Sequence, residues 1–189
     1  MTSDETVTVK GSMVRSLQKF IETDLTSDQR AVLLRSLPAE YANRFTSVIL
    51  PTETVPIQIL NQVTEQASKA KGEALDSFGR RAGNAAASEA VKGIYRFFVR
   101  VLTPPAVLSR ASQMWSSLYS RGKLRVEDQT ASSARLVLSD FPSEPAFCAR
   151  FTGWVERMAR MTGSDNIRIE HARCASRGGT YCEWKVTWT

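Results

Sequence analysis

The chain has 189 residues, 42% hydrophobic and 23% charged, which is the balance of one globular domain and excludes a fibrous or disordered protein. No run of about eighteen apolar residues occurs, and the polar start MTSDETVTVKGS lacks the apolar centre of a signal peptide; no membrane span and a cytoplasmic location are expected. The net charge of +6, from 25 basic against 19 acidic residues, admits an acidic partner without selecting one, and nucleic acid is not expected.

Residues 1–10 have no apolar period and read as a flexible tail or a short extended arm, with a single domain over 11–189. Met13, Leu17, Phe20 and Ile21 mark one face of a first helix. Thr26 and Gln29 form a capping box for a second helix, which ends before Pro38. The stretch SVILPTETVP reads as a connector, and Pro56 suits the first turn of a helix that runs to Lys71 with Gly72 as its cap.

Residues 73–102 read as one long helix. Gly79, Gly83, Ala86, Ala90 and Gly93 fall three or four apart along it, a stripe on which another backbone can approach closely, either within the domain or across a homodimer. The opposite side carries Lys92, Arg96 and Arg100, a basic row that reads as a solvated face. Thr103 and Pro104 open the next helix, whose apolar face carries Val107, Leu108, Ala111, Trp115, Leu118 and Tyr119.

From Lys123 the period changes to two. Leu124 and Val126, then Leu136 and Leu138, give two antiparallel strands. A helix over residues 146–161 follows, with Phe147, Phe151, Trp154, Val155 and Met158 inward and Arg150, Arg157 and Arg160 mostly outward. Ile167 and Ile169, then Cys182, Trp184, Val186 and Trp188, alternate along the last two strands. The expected fold is α+β: N-terminal helices packed on an antiparallel four-stranded sheet of two hairpins, with a helix between the hairpins.

All three cysteines and the single histidine fall late in the chain: Cys148, His171, Cys174 and Cys182. Three thiols and an imidazole are the donors of a closed, tetrahedral, structural Zn²⁺ site; the alternative is three small buried hydrophobes and an unrelated histidine. The odd spacing of His171 and Cys174 puts them on opposite faces of a regular strand, so a shared site requires the strand to bend or end between them. Cys148 near a helix start is expected to favour the thiolate.

No hydrolase elbow, phosphate-cradling loop or dinucleotide glycine pattern is present, so no enzymatic activity is expected. Tyr95, Trp115 and Tyr119 are candidate lining for a small apolar or aromatic ligand, with ordinary core aromatics as the alternative.

The run from Cys148 through Gly153-Trp154, Gly163, Cys174 and Gly178 to Cys182 resembles the C-terminal half of the 4-vinyl reductase domain, which also serves as the sensor domain of phenol-responsive transcription activators. In the zinc-binding members of that family three cysteines at these places and a glutamate hold the metal; here His171 stands at the glutamate's position. The wider superfamily includes haem nitric-oxide sensor domains and subunits of the TRAPP vesicle-tethering complex, and the chain is also similar to a set of uncharacterised myxobacterial proteins. The resemblance implies a cavity lined by the small-residue helix, the Trp115 helix and the sheet. It does not carry over a reductase activity, since no flavin or nicotinamide fingerprint is present. Haem is not expected either, because the haem-binding relatives use an axial histidine on a helix and a Tyr-x-Ser-x-Arg motif that LYSRG does not reproduce. Two readings remain open: a small-molecule sensor that signals through a protein partner, and a dimeric adaptor of TRAPP-subunit type.

Overall fold

The computed structural model describes residues 6–91 and 102–189. Strand β1 (Thr8–Lys10) leads into helices α1 (Gly11–Asp24), α2 (Ser27–Ser36) and α3 (Ala39–Thr46). Strand β2 (Thr54–Pro56), α4 (Ile57–Lys71) and α5 (Leu75–Ala90) follow. After the break come α6 (Pro104–Leu118), the hairpin β3 (Lys123–Glu127) and β4 (Ser133–Ser139), α7 (Pro145–Met161), and the hairpin β5 (Arg168–Arg173) and β6 (Cys182–Thr187). The sheet order is β3-β4-β6-β5, all antiparallel. This is the α+β arrangement expected from the change of period, with the helix between the hairpins in place.

Local chemistry sets most of the boundaries. Thr26 accepts from the Gln29 backbone N–H while the Gln29 side chain accepts from the Thr26 N–H, so both orphan donors of the first turn of α2 are satisfied. Gly72 ends α4 at φ 72° and Gly163 follows α7 at φ 81°, a left-handed conformation that only glycine adopts without a Cβ penalty.

The structure refines three readings. The tail over 1–10 is replaced, at its far end, by a strand: β1 pairs with β2, Val9 also bridges Tyr119, and Val7 and Val9 are buried. Two apolar side chains in an otherwise polar start suffice to tie it down. Residues 39–46, to which periodicity assigns no element, form helix α3 with Phe45 buried, and the stretch read as a connector contains β2. The helix expected over residues 73–102 is described to Ala90; Gly93, Tyr95 and the basic row Lys92, Arg96 and Arg100 lie outside the described residues.

The small-residue stripe is used inside the chain. A Cβ on Gly83 would lie 1.8 Å from the Arg150 carbonyl oxygen, and one on Gly79 would lie 2.5 Å from the Ala149 Cβ. From the other side, a Cβ on Gly153 would lie 2.0 Å from the Arg80 carbonyl oxygen. Helices α5 and α7 therefore touch backbone to backbone, and α7 covers the surface on which a homodimer was expected. That placement of the dimer is corrected: the glycines have already found their partner.

Candidate functional site

Beside this seam the packing opens. Trp115 of α6 is buried and stacks on Tyr119 at 4.2 Å between ring centroids, while Phe141, Phe147 and Phe151 meet Trp115 edge-on at 5.3, 6.3 and 5.9 Å. The indole N–H donates to the Arg121 carbonyl at 2.9 Å, which satisfies the one polar atom that burying a tryptophan brings with it. Trp115, Tyr119, Phe147 and Phe151, with Leu17 of α1, Ile57 and Leu60 of α4, and Ala82, Gly83 and Ala86 of α5, line a cavity of ≈ 60 Å³. Of the sheet only Leu124 reaches it, so the cavity lies among the helices rather than between helices and sheet. Met13, Ala86, Ala111, Leu118 and Trp154 line both this cavity and a wider cleft of ≈ 1050 Å³ outside it. Of the expected ligand residues, Trp115 and Tyr119 line the cavity and Tyr95 falls outside the described residues.

The polar residue of the cavity is one that the sequence reading turned outward. Arg150 of α7 lines it. Its Nη1 donates to the Leu60 carbonyl at 2.8 Å and to Thr64 Oγ1 at 2.5 Å, and its Nη2 donates to Asn61 Oδ1 at 2.7 Å. Asn61 and Thr64 are buried, so a polar patch of α4 has been built to receive the guanidinium. Burial pushes the Arg150 pKa down to about 10, against the opposing pull of Tyr119, Glu144 and Cys148. Burial likewise pushes the Tyr119 hydroxyl up to about 12, with the Arg150 charge drawing it partly back. The signal was available in the sequence: Arg150 shares a helical face with Phe147, Phe151 and Trp154, all inward residues, and Asn61 and Thr64 interrupt the apolar face of α4.

Two residues before Arg150 on α7, Cys148 comes together with His171, Cys174 and Cys182. Their ligand atoms lie within 4.8 Å of one another, a set placed to hold a metal ion, and Cys148 Sγ is 3.8 Å from Cys174 Sγ and 3.9 Å from Cys182 Sγ. The required bend exists: the register of β5 against β6 shifts between His171 and Arg173, and Cys174 then begins a short 3₁₀ turn, Ala175–Arg177. The thiolate falls elsewhere than expected. Hydrogen bonding to Cys182, together with burial, pushes the Cys148 thiol up, whereas donation from Cys148 and then from His171 and the Ala175 N–H draws Cys182 down to about 4. Cys182 accepts and Cys148 keeps its proton, chiefly because the Cys148 thiol is hydrogen-bonded to Cys182 and then because it is buried. The His171 ring stacks on Trp184 at 4.6 Å.

Solved structures with this fold are H-NOX proteins. The Fe(II) unliganded H-NOX protein from K. algicida superposes with a TM-score of 0.72 at 14% identity, covering 95% of this chain and 96% of that one. The S. oneidensis H-NOX protein in the Fe(II)NO state gives 0.70 at 12% identity over 95% and 99%. A structure described as probing haem distortion in the H-NOX family gives 0.71 at 14% identity over 95% of each chain. No curated protein matches the chain. These structures are described by Fe(II), NO and haem, and that finding overturns structural Zn²⁺ as the expected cofactor of this chain.

Haem itself does not fit the inner cavity. A cavity of about 150 Å³ is what holds one benzene, and the ≈ 60 Å³ here is under half of that, far short of a macrocycle of four pyrroles. The single histidine and the three cysteines sit in the cluster at the sheet and line neither space; of the other side-chain types that ligate haem iron, Tyr119 and Met13 line the inner cavity and Met13, Met114 and Met158 the cleft. The sequence model of one family matches residues 7–189, and the chain accordingly belongs to the family described as "Protein of unknown function (DUF2378)".

Proposed function

We propose that the chain is a non-catalytic small-molecule sensor domain on the H-NOX fold, with Trp115 and Tyr119 at its ligand site and a protein partner for its output. The observation that carries this reading is the aromatic-walled cavity, which shares Ala86, Ala111 and Trp154 as lining with a wider cleft. Buried apolar walls with one or two polar groups are the usual make-up of a small-ligand site. The 4-vinyl reductase-like pattern from Cys148 to Cys182, which the phenol sensors share, supports the same reading. The test is a thermal-shift screen of small aromatic and aliphatic compounds on the wild type and on Ala82→Phe, which fills the cavity. A ligand that raises Tm in the wild type and not in the filled variant supports the sensor; no shift with any compound removes it.

A second reading rests on the cavity's size. At ≈ 60 Å³ the interior is nearly filled, as in an adaptor of TRAPP-subunit type that carries no small ligand. Val48 and Leu50, 91% and 61% exposed, supply apolar contact for such a role. Failure of the screen together with retarded gel filtration in the presence of a partner favours this alternative.

A further inference from the structure

We propose that the occupant of the cavity is a monocarboxylic acid, its carboxylate paired with Arg150 and its apolar tail passing between Ala86 and Ala111 into the outer cleft. The proposal rests on the sensor reading and names the ligand class for that same site.

The argument begins with an unbalanced charge. A guanidinium has five N–H donors, and the three acceptors around Arg150 are the Leu60 carbonyl, Thr64 Oγ1 and Asn61 Oδ1, all neutral. The two N–H bonds of Nη1 are used, one of Nη2 is used, and the Nε–H and the second Nη2–H have no partner among the described residues. No carboxylate of the described residues pairs with it. Elsewhere this chain closes such charges: Arg81 is paired with Asp24 and Glu73, and Arg135 with Glu127, Asp128 and Glu183. A half-buried cation left with neutral acceptors keeps part of its desolvation penalty, which an entering anion offsets.

The remaining donors select the anion. Nε–H and the adjacent Nη2–H lie on one edge of the planar group and match the two oxygens of a carboxylate. Tyr119 also lines the cavity; its hydroxyl has no hydrogen-bond partner among the described residues and interacts electrostatically with Arg150, which leaves it free to donate to the same oxygens. One cation and one neutral donor balance a single negative charge, which favours a carboxylate over a phosphate dianion. Size points the same way, since ≈ 60 Å³ admits a carboxylate and a carbon or two. The rest of the molecule has to pass Ala86, Ala111 and Trp154, residues that line both the inner cavity and the outer cleft.

The test compares straight-chain acids from acetate to decanoate with the matched alcohols and amides, by calorimetry on the wild type. Acids are expected to bind at least about tenfold tighter than the neutral analogue of equal length, the worth of one charge-assisted bidentate contact. Arg150→Gln is expected to erase that preference, and Ala86→Leu to weaken the long acids while sparing acetate. The acid-to-alcohol comparison needs no variant, so it stands even if Arg150→Gln does not fold. Equal binding of acids and alcohols overturns the carboxylate and leaves the sensor reading intact; binding by neither overturns both.

Discussion

Helix α7 has two unlike sides, and Arg150 stands on both. Toward α5 its backbone carbonyl occupies the space that a Cβ on Gly83 would need; toward α4 and α6 its side chain enters a cavity walled by Trp115, Phe147 and Phe151. The first side is closed because residues without side chains allow two backbones to meet with no volume between them. The second stays open because large flat rings set edge-on do not tile space, and because a guanidinium needs oxygen partners that apolar packing lacks. The closed side fixes where Arg150 is, and the open side is what it is fixed for. Backbone contact thus gives a polar group inside a largely apolar cavity a rigid mount.

If that division is right, the two sides should respond differently to added and removed volume. The largest effect is expected on the closed side. Gly83→Leu places a side chain where the Arg150 carbonyl already lies, so the helices must separate, at a cost of more than about 3 kcal/mol in urea unfolding. A variant within about 1 kcal/mol of the wild type would mean that the seam is not closed. On the open side, Thr64→Val removes an acceptor from Arg150 without changing shape, and a loss of about 2 kcal/mol is expected for an N–H of a buried charge left unpaired. Phe147→Leu should cost about 1.5 kcal/mol and enlarge the cavity. The second consequence is the sharper one, because a cavity that grows toward the size of benzene should gain a measurable Tm shift with benzene or toluene that the wild type lacks.

What the sequence disclosed and what it withheld follow the range of the interactions involved. The capping box at Thr26 and Gln29, the Gly72 cap and both hairpins were legible because each is decided within a few residues. The spacing of His171, Cys174 and Cys182 was legible as a cluster, and the strand irregularity it required is present in β5, although the cofactor attached to it was not sustained. The glycine stripe announced a close approach without naming the partner; a stripe specifies how near a neighbour comes, and only the tertiary fold decides which neighbour it is. Arg150 was misread for a related reason. Long basic side chains usually carry their charge to water, and this one instead meets Asn61 and Thr64, nearly ninety positions away in the chain. Helix α3 was too short, and the strand β1 too dependent on β2, for periodicity to find either.

The smallest expected effect is also the most local probe of the open side. Burial raises the Tyr119 hydroxyl to about 12 from an ordinary value near 10, so the folded state holds this proton more tightly than the unfolded state does. The linkage sign follows. Below about pH 10 both states are protonated and the full contribution is present; between about 10 and 12 the unfolded chain loses the proton first, and stability falls as pH rises. Tyr119→Phe removes the titration while keeping the ring that stacks on Trp115, so it should change stability at pH 7 by less than about 1 kcal/mol and flatten the decline above pH 10. Ultraviolet titration of the four tyrosines reads the same event directly, as a late phenolate absent from the variant. A Tyr119 that ionises with the exposed phenols would place its hydroxyl in water, and would thereby remove the second donor from beside Arg150.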